Sequence, residues 1–401
     1  MTEKPFTLQV PDSEINHLKK KLDLTRFPDE LEGVGWEYGV PLVDVKRLVG
    51  RWKDGFDWRA REAHINTFPQ FTRDIEIEGH GTLNIHYVHK RSELGENAIP
   101  LLFVHGWPGH FMEVARILPL LTAVSPDQPS FHVVAYSLPG FGFSDAPRTP
   151  GFSIKQYAEV GHKLMLALGY SEYVTQGGDW GYFITRKLQT MYGGTHVKAW
   201  HANFSPVKPP QLTKQPWQYL KYLVTPLTKK EKEDMARTQW LFNRSFGFFV
   251  EQSTKPQTIG YSLADSPVGL LAWMYEKLME YSDNYPWEDD EVLEWISIYW
   301  FSKAGPAASV RIYYEAAQIG DRENTPWTGL PYGLSRFPGE VMLSPRSWSR
   351  IVGNLVFEVE HDRGGHFASH EVPELLAGDV KKMFGVGGPA FGVVPGKTGY
   401  A

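Results

Sequence analysis

The sequence predicts an α/β fold in which helices flank a mostly parallel sheet, with a helical arm before the sheet and a helical insertion within it. Continuous apolar runs at residues 100–104 and 131–136 indicate strands that are buried on both faces. A helical pattern at residues 113–121 separates them, which is the arrangement of a parallel βαβ unit. The alternation of predicted strands and helices stops after residue 205, and predicted strands resume near residue 340. This indicates that helices are inserted between two strands.

The first part of the chain is predicted to be a helical arm that packs onto the main domain. Leu18 and Leu22 share one face of a helix that Asp12 or Ser13 would cap, and residues 42–52 repeat the same spacing. Each helix has only one apolar face, so the arm needs another surface to cover that face.

The remaining strands complete the predicted sheet. An alternating pattern around residues 79–81 predicts a β-hairpin, and residues 173–176 and 197–201 continue the parallel strands. Residues 340–343 and 354–358 predict the two last strands. The predicted regions are the arm at 1–72, the core at 73–205, the lid at 206–320, and the second part of the core at 321–401, whose glycine-rich tail from residue 385 is expected to be loosely held.

Composition excludes several classes of function. The 401 residues carry a formal net charge of −5, so no basic surface is expected for nucleic acid. The absence of cysteine excludes disulfides, thiolate metal sites and a cysteine nucleophile, and we expect no metal and no cofactor. Neither a signal peptide nor an apolar stretch of membrane-spanning length is present, so we expect a soluble, cytoplasmic protein without a membrane anchor. Whether it forms a homodimer is left open.

The motif Gly177-Gly178-Asp179-Trp180-Gly181 reads G-x-D-x-G and follows a predicted strand, which is the spacing of a nucleophile elbow. Glycines on both sides allow the tight turn that lifts the central side chain off the sheet. A carboxylate here gives a usable ester with an sp³ carbon but only a labile anhydride with an acyl group. The elbow therefore predicts alkyl transfer through Asp179, by opening an epoxide or displacing a halide. The alternative is that Asp179 only caps the helix that starts at Trp180.

A histidine and an acid follow in the order that a catalytic triad requires. His366 lies after the last predicted strand, preceded by two glycines, and Glu340 stands at the start of the strand before it. The order Asp179, Glu340, His366 is that of nucleophile, acid and base in this kind of fold. Asp362 is a rival acid, but its place shortly before His366 favours a position on the surface.

The loop His105-Gly106-Trp107-Pro108-Gly109 follows an apolar strand and is predicted to contribute to an oxyanion hole. The predicted donors are the backbone N–H groups of Trp107 and of Trp180, the residue after the nucleophile. Pro108 has no N–H to donate. The alternative is an ordinary turn between a strand and a helix.

These motifs resemble those of epoxide hydrolases of the microsomal and fungal type, as do Ser266-Pro267, Phe56-Asp57-Trp58-Arg59, Phe68-Pro69-Gln70-Phe71 and Arg363-Gly364-Gly365-His366-Phe367. The resemblance covers nearly the whole chain, including the arm, and is nearest to the soluble fungal members. It implies the α/β-hydrolase fold, a small-molecule epoxide as substrate and water as second reactant. It also implies that Asp179 forms an alkyl ester, which water activated by His366 hydrolyses to a vicinal diol. Whether the role is detoxification, including aromatic hydrocarbon catabolism, or a biosynthetic step stays open.

The resemblance further implies two lid tyrosines that protonate the opened epoxide oxygen, because a phenol donates a proton far more readily than water. Tyr313 matches one of them, but the other position holds Phe248, which can line the substrate site without donating a proton. Three explanations stay open. Tyr313 suffices at a reduced rate, a neighbour such as Tyr314 or Tyr261 substitutes, or the substrate needs less assistance.

Two other functions are compatible with the same motifs. A haloalkane or haloacid dehalogenase would use the same aspartate ester and histidine, with the Trp107 and Trp180 N–H groups facing the halide. The arm and Tyr313 favour the epoxide over the halide. A catalytically altered binding protein on this fold is suggested by Phe248, whereas the intact set of nucleophile, acid and base argues for an enzyme.

Overall fold

The computed structural model describes residues 3–322 and 326–401, and the strands within these ranges form one nine-stranded sheet. The strands are β1 (Lys4–Pro5), β2 (Gln70–Ile77), β3 (Gly81–Lys90), β4 (Ile99–Val104), β5 (Phe131–Tyr136), β6 (Tyr173–Gly177), β7 (Val197–Ala202), β8 (Pro331–Arg336) and β9 (Asn354–Glu360). Their order across the sheet is β1-β2-β3-β5-β4-β6-β7-β8-β9. The pairs β1–β2, β2–β3 and β3–β5 are antiparallel, and the other five pairs are parallel. The predicted α/β class with a mostly parallel sheet is confirmed.

Helices cover both faces of this sheet. They are α1 (Asp12–Asp23), α2 (Leu42–Asp54), α3 (Trp58–Ile65), α4 (Leu118–Thr122), α5 (Ile154–Ala167), α6 (Trp180–Tyr192), α7 (Pro216–Val224), α8 (Lys229–Arg244), α9 (Gly247–Thr254), α10 (Pro256–Asp265), α11 (Pro267–Tyr281), α12 (Asp289–Trp300), α13 (Arg311–Ile319), α14 (Ala368–Glu371) and α15 (Pro373–Phe384). The helices α7 to α13 lie between β7 and β8 along the chain, where the insertion was predicted. None of the described helices combines the length and the apolar character that a bilayer-crossing segment needs.

Alternation along the central strands divides the core into two apolar layers. In β4, Leu101 and Phe103 belong to one buried cluster, while Leu102 and Val104 belong to the other. Helices α5 and α6 pack on the second cluster, and α4 and α15 pack on the first. Because both faces are covered, every residue of β4 is buried, which explains its continuous apolar sequence.

The predicted strand at residues 340–343 is wrong. The strand at this point of the chain is β8, which ends at Arg336, and residues 340–343 follow it as an irregular segment. Val341 and Leu343 are buried because they lie beneath the lid, where the Leu343 N–H donates to the Thr238 hydroxyl of α8 at 2.9 Å. An apolar segment that a lid buries has the same local pattern as one that a sheet buries, so the pattern alone misassigned it.

The arm differs in detail from the prediction. Strand β1 joins the arm to the edge of the sheet by pairing with β2. No side chain caps α1, so the predicted capping by Asp12 or Ser13 is wrong. Helix α3 is additional, and it begins after Asp57, whose carboxylate accepts from the Ala60 N–H at 3.1 Å. The arm is therefore part sheet and part helix.

The arm also packs on the lid. Helices α1 and α2 contact α11, and α2 contacts α12. The Lys21 ammonium lies 2.6 Å from the Asp265 carboxylate, and the Arg51 guanidinium lies 2.7 Å from that of Asp290. These pairs are partly exposed and stabilise the contact by little, whereas Trp52 of α2 is buried in the core cluster that includes the lid helices. The lid thus covers the apolar face of the arm.

The tail from residue 385 is not loosely held, contrary to the prediction. The Gly399 carbonyl accepts from the Ser130 N–H, and the Gly399 N–H donates to the Asn97 carbonyl, both at 2.8 Å. Val394 is buried in the layer that α4 and α15 cover. The tail therefore closes one end of the core.

Candidate active site

Asp179 lies at the turn between β6 and α6, at the carboxyl end of the central parallel strands. Its backbone has a φ of 48° and a ψ of −125°, a conformation that costs a non-glycine residue about 1–3 kcal/mol. The turn needs glycine beside it, because a Cβ on Gly181 would lie 1.9 Å from the Val104 carbonyl oxygen. The Asp179 side chain makes no cap hydrogen bond with α6, which excludes the alternative that it is only a helix cap.

One carboxylate oxygen of Asp179 is held by the loop at residues 105–109. The Trp107 N–H donates to Asp179 Oδ1 at 2.8 Å, so this predicted donor already contacts the nucleophile. The Trp180 N–H makes no hydrogen bond to this carboxylate among the contacts of the described residues, and its role as second donor stays a prediction. Oδ2 is left as the oxygen that faces the histidine.

His366 and Glu340 come from the loops that follow β9 and β8. The Glu340 Oε1 atom lies 2.7 Å from His366 Nδ1, and His366 Nε2 lies 3.6 Å from Asp179 Oδ2. The structure thus brings together the residues predicted as nucleophile, acid and base. A backbone bridge between the two loops holds them side by side, and the rival acid Asp362 is exposed. No three His, Asp or Glu side chains within the described ranges are grouped to hold a metal ion.

His366 is buried between two carboxylates. Burial lowers its pKa, but attraction to Glu340 and Asp179 outweighs burial and holds the pKa of His366 well above its ordinary value. The imidazole is therefore protonated at neutral pH in the free protein. The hydrogen bond between Nδ1 and Glu340 orients the ring, and Nε2 faces Asp179 Oδ2 at an ion-pair distance that is too long for a hydrogen bond.

Asp179 and His366 lie at the wall of a cavity of about 790 Å³ between the sheet and the lid. This volume suits a drug-sized ligand. Aromatic rings form much of the wall. Phe248 stacks on Trp107, with 5.3 Å between ring centroids, and Tyr313 packs edge-on against Trp180 at 4.8 Å. Both residues predicted from the lid therefore lie at the cavity.

Tyr313 faces the cavity, whereas the two suggested substitutes for the missing tyrosine do not. Burial and the charge of Asp179 hold the pKa of Tyr313 well above its ordinary value, so the phenol keeps its proton. Tyr314 and Tyr261 are 37% and 70% exposed and do not line the cavity. Successive side chains of a helix point about 100° apart, so Tyr314 cannot share the buried face that Tyr313 occupies.

Glu113 is an enclosed acid that the sequence did not single out. It shares a small internal space with Asp179 and His366 behind the loop at residues 105–109, and part of its surface faces this space. Removal from bulk water raises the pKa of Glu113 to about 8, although the charge of His366 lowers it. In the sequence Glu113 is one acid in an apolar segment, and no motif marks it.

Glu113→Gln is expected to stabilise the protein more at pH 8 than at pH 5.5, by roughly 1–3 kcal/mol. The folded state keeps the Glu113 proton up to a pKa of about 8, while the unfolded state loses it near pH 4.5. Wild type therefore loses stability as the pH rises through this window, and the amide removes this loss. The check is the difference in Tm from wild type at both pH values, with the exposed Glu93→Gln as control. A difference that is the same at both pH values would show that Glu113 does not titrate in this range.

Comparison with known proteins agrees with this geometry. Residues 3–114 match the family model described as the epoxide hydrolase N terminus, and residues 99–264 match that of the alpha/beta hydrolase fold. The chain is 34% identical to epoxide hydrolase 1 of Sus scrofa, over 96% of this chain and 88% of that protein. Among solved structures, the Aspergillus niger epoxide hydrolase superimposes with a TM-score of 0.83 at 35% identity, covering 95% of each chain.

The juvenile hormone epoxide hydrolase of Bombyx mori superimposes with a TM-score of 0.85 at 28% identity, covering 94% of this chain and 93% of that one. The similarity to these proteins extends from the arm through the lid to the last strand, since almost the whole length of each is covered. The predicted resemblance is confirmed. The chain belongs to the epoxide hydrolases of the α/β-hydrolase fold.

Proposed function

We propose that this epoxide hydrolase converts epoxides with apolar or aryl substituents to vicinal diols through an ester on Asp179. The observation that carries the proposal is the asymmetry of the Asp179 carboxylate. Oδ1 is held by the Trp107 N–H at 2.8 Å, and Oδ2 lies 3.6 Å from His366 Nε2, at the cavity. One oxygen is thus anchored while the other is available to a substrate carbon.

In the first step Asp179 Oδ2 attacks an epoxide carbon. A bond forms between Oδ2 and that carbon, the ring C–O bond breaks, and its electron pair goes to the epoxide oxygen. This oxygen takes a proton from the Tyr313 phenol, which the buried site keeps protonated before the reaction. The phenol is later reprotonated from water.

In the second step water hydrolyses the ester. Ester formation removes the negative charge of Asp179, so only Glu340 still favours the charged form of His366 and the pKa of His366 falls. The imidazole then releases its proton to solvent and accepts one from the water that attacks the carboxyl carbon of the ester. The bond between this carbon and Oδ2 breaks, Oδ2 leaves as the second hydroxyl of the diol and takes the proton from the imidazolium, and the new carboxylic acid of Asp179 returns a proton to the imidazole. The Trp107 N–H, together with that of Trp180, stabilises the oxyanion that forms on the ester oxygen.

The substrate class follows from the walls of the cavity. Trp107, Phe248, Phe183 and Phe204 present apolar surface there, and the space of about 790 Å³ exceeds what a short aliphatic epoxide fills. Burial of an apolar or aryl substituent against these rings would supply binding energy of roughly 25 cal/mol per Å². The same lining also contains charged side chains besides the reacting groups, among them Arg186, Lys214 and Arg322.

The test is an epoxide panel combined with trapping of the ester. His366→Gln is expected to form a covalent adduct on Asp179 that mass spectrometry locates, while diol release falls by roughly 10³-fold or more. In water labelled with ¹⁸O, a single turnover of wild type should place the label on Asp179 and not in the diol. The exposed His17→Gln is the control and should retain wild-type turnover. The ¹⁸O label in the diol of the first turnover would contradict the ester mechanism.

The dehalogenase alternative predicts halide release from haloalkanes by the same aspartate. The protonated Tyr313 in the cavity favours an epoxide, because a phenol assists an alkoxide and a halide leaves without a proton. A binding protein without activity would give neither adduct nor diol. A cytoplasmic location stays a prediction. Whether the protein forms a homodimer stays open, and gel filtration at several concentrations tests this point.

A further inference from the structure

Phe248 stands where the family resemblance implies a tyrosine, so one of the two expected proton donors is missing from the cavity. Its ring stacks on Trp107 and lies 6.0 Å from the Tyr313 ring, so the side chain occupies a place beside the known phenol. No hydroxyl is present at that place. If two donors serve the epoxide oxygen, the second must come from another residue that lines the same cavity.

The described tyrosines that line the cavity are Tyr313 and Tyr281. Tyr281 ends α11, and its ring centroid lies 6.2 Å from that of Phe248 and 5.7 Å from that of His366. Its carbonyl oxygen accepts from the His366 N–H at 2.9 Å. Tyr281 is thus fixed to the catalytic histidine and adjoins the ring that lacks a hydroxyl.

The Tyr281 hydroxyl is buried without a completed hydrogen bond. The side chain is 3% exposed, and no described atom satisfies the hydroxyl, although Ser245 lies close enough to lower its pKa. Burial more than offsets Ser245 and holds the pKa of Tyr281 well above its ordinary value, with the charges of Glu280, Glu276 and Asp179 acting in the same direction. A buried hydroxyl without a partner costs about 1–3 kcal/mol. The oxygen is enclosed in the free protein, so a substrate oxygen can accept from it only after the Tyr281 ring or the end of α11 shifts toward the cavity.

A buried cation supports this phenol. The Lys277 ammonium lies 5.5 Å from the Tyr281 ring centroid and 5.0 Å from that of Phe248. The Lys277 side chain is 2% exposed and lies 2.6 Å from the carboxylate of Glu276 and 3.4 Å from that of Glu280. A cation at the ring face helps to hold the ring in place, while the paired carboxylates of Glu276 and Glu280 offset its charge at the Tyr281 oxygen.

We propose that Tyr281 is the second proton donor of this enzyme, in place of residue 248, which is a phenylalanine and has no proton to donate. This inference rests on the proposed ester mechanism. As Asp179 Oδ2 bonds to the epoxide carbon and the ring C–O bond breaks, Tyr281 and Tyr313 both donate hydrogen bonds to the departing oxygen. One phenol gives its proton to this oxygen, the other stabilises it, and water returns the proton before the next cycle.

The test separates alkylation from ester hydrolysis by rapid quench with an epoxide that wild type converts. Tyr281→Phe is expected to slow formation of the Asp179 ester by roughly 10–100-fold, while hydrolysis of the formed ester keeps its rate. Adding Phe248→Tyr to Tyr281→Phe should recover at least part of the alkylation rate, because a hydroxyl returns to the same corner of the cavity. A role of Tyr281 in packing alone would slow both steps, and Phe248→Tyr would not rescue it.

The matched control is Tyr275→Phe, which removes a phenol from the same helix. Tyr275 is buried against Trp36 of the arm and does not line the cavity, so alkylation should proceed at the wild-type rate. Alkylation by Tyr281→Phe at the wild-type rate would overturn the inference and leave the ester mechanism intact. Failure of wild type to form any ester would instead overturn the proposed function.

Discussion

Asp179→Asn should abolish epoxide turnover, with kcat/KM lower by roughly 10⁴-fold or more. An amide oxygen is a far poorer nucleophile toward an sp³ carbon than a carboxylate. The replacement keeps the size of the side chain and an oxygen for the Trp107 N–H, and asparagine tolerates positive φ better than most residues. The loss would therefore report on chemistry and not on folding. Measurement of diol release and of covalent adduct should both give background values.

The control for this substitution is Asp362→Asn. Asp362 is the acid that rivals Glu340 in sequence, and the structure places it on the surface. The Asp362→Asn variant should retain wild-type kcat/KM, whereas the Glu340→Gln variant should slow ester hydrolysis. Retention of more than a tenth of the wild-type activity by Asp179→Asn would contradict the assignment of the nucleophile.

Gly181→Ala is expected to have the largest effect on stability, at least ~3 kcal/mol. Its Cβ would lie 1.9 Å from the Val104 carbonyl oxygen and 3.1 Å from that of His105. These are backbone atoms, so relief requires that α6 move away from β4 and carry the nucleophile with it. Equilibrium unfolding in urea measures the loss, and residual folded protein should show little turnover.

Gly378→Ala is the control for this substitution, and it is expected to raise stability where Gly181→Ala lowers it. Gly378 lies inside α15, and a Cβ there meets no atom within 4 Å. Alanine favours a helix interior over glycine by about 1 kcal/mol, so this variant should be slightly more stable than wild type. Equal stability of the two variants would mean that the close approach of α6 to β4 is not what requires Gly181.

The sequence predicted best where a motif is joined to a strand end. Asp179 and His366 lie near each other, as predicted, because a nucleophile elbow and the loop after the last strand have a fixed place in a parallel sheet. Their catalytic roles stay predictions. Glu340 contacts His366, as predicted, but it does not lie in a strand. The apolar segment after it packs under α8 and not in the sheet. A one-dimensional pattern reports that a segment is buried and leaves open what buries it.

Lid residues were harder to predict because their roles depend on how helices pack. Tyr313 and Tyr314 are neighbours in sequence, yet only one of them is buried, since the phase of α13 decides which side chain faces the cavity. Tyr281 and Glu113 carry no local signal at all. Tyr281 is one aromatic residue among many in the lid, and it reaches His366 only because α11 ends there.

The arm has a consequence for substrate choice. It is attached at one end to the edge of the sheet through β1 and rests at its middle on α11, the helix that ends in Tyr281. The arm is thus one of the elements that hold this helix in place, and it contacts the helix from outside the cavity. Substitutions on the face of the arm that contacts α11 are therefore expected to alter which epoxides fit while every reacting group stays unchanged, so selectivity and chemistry can evolve in separate parts of the chain.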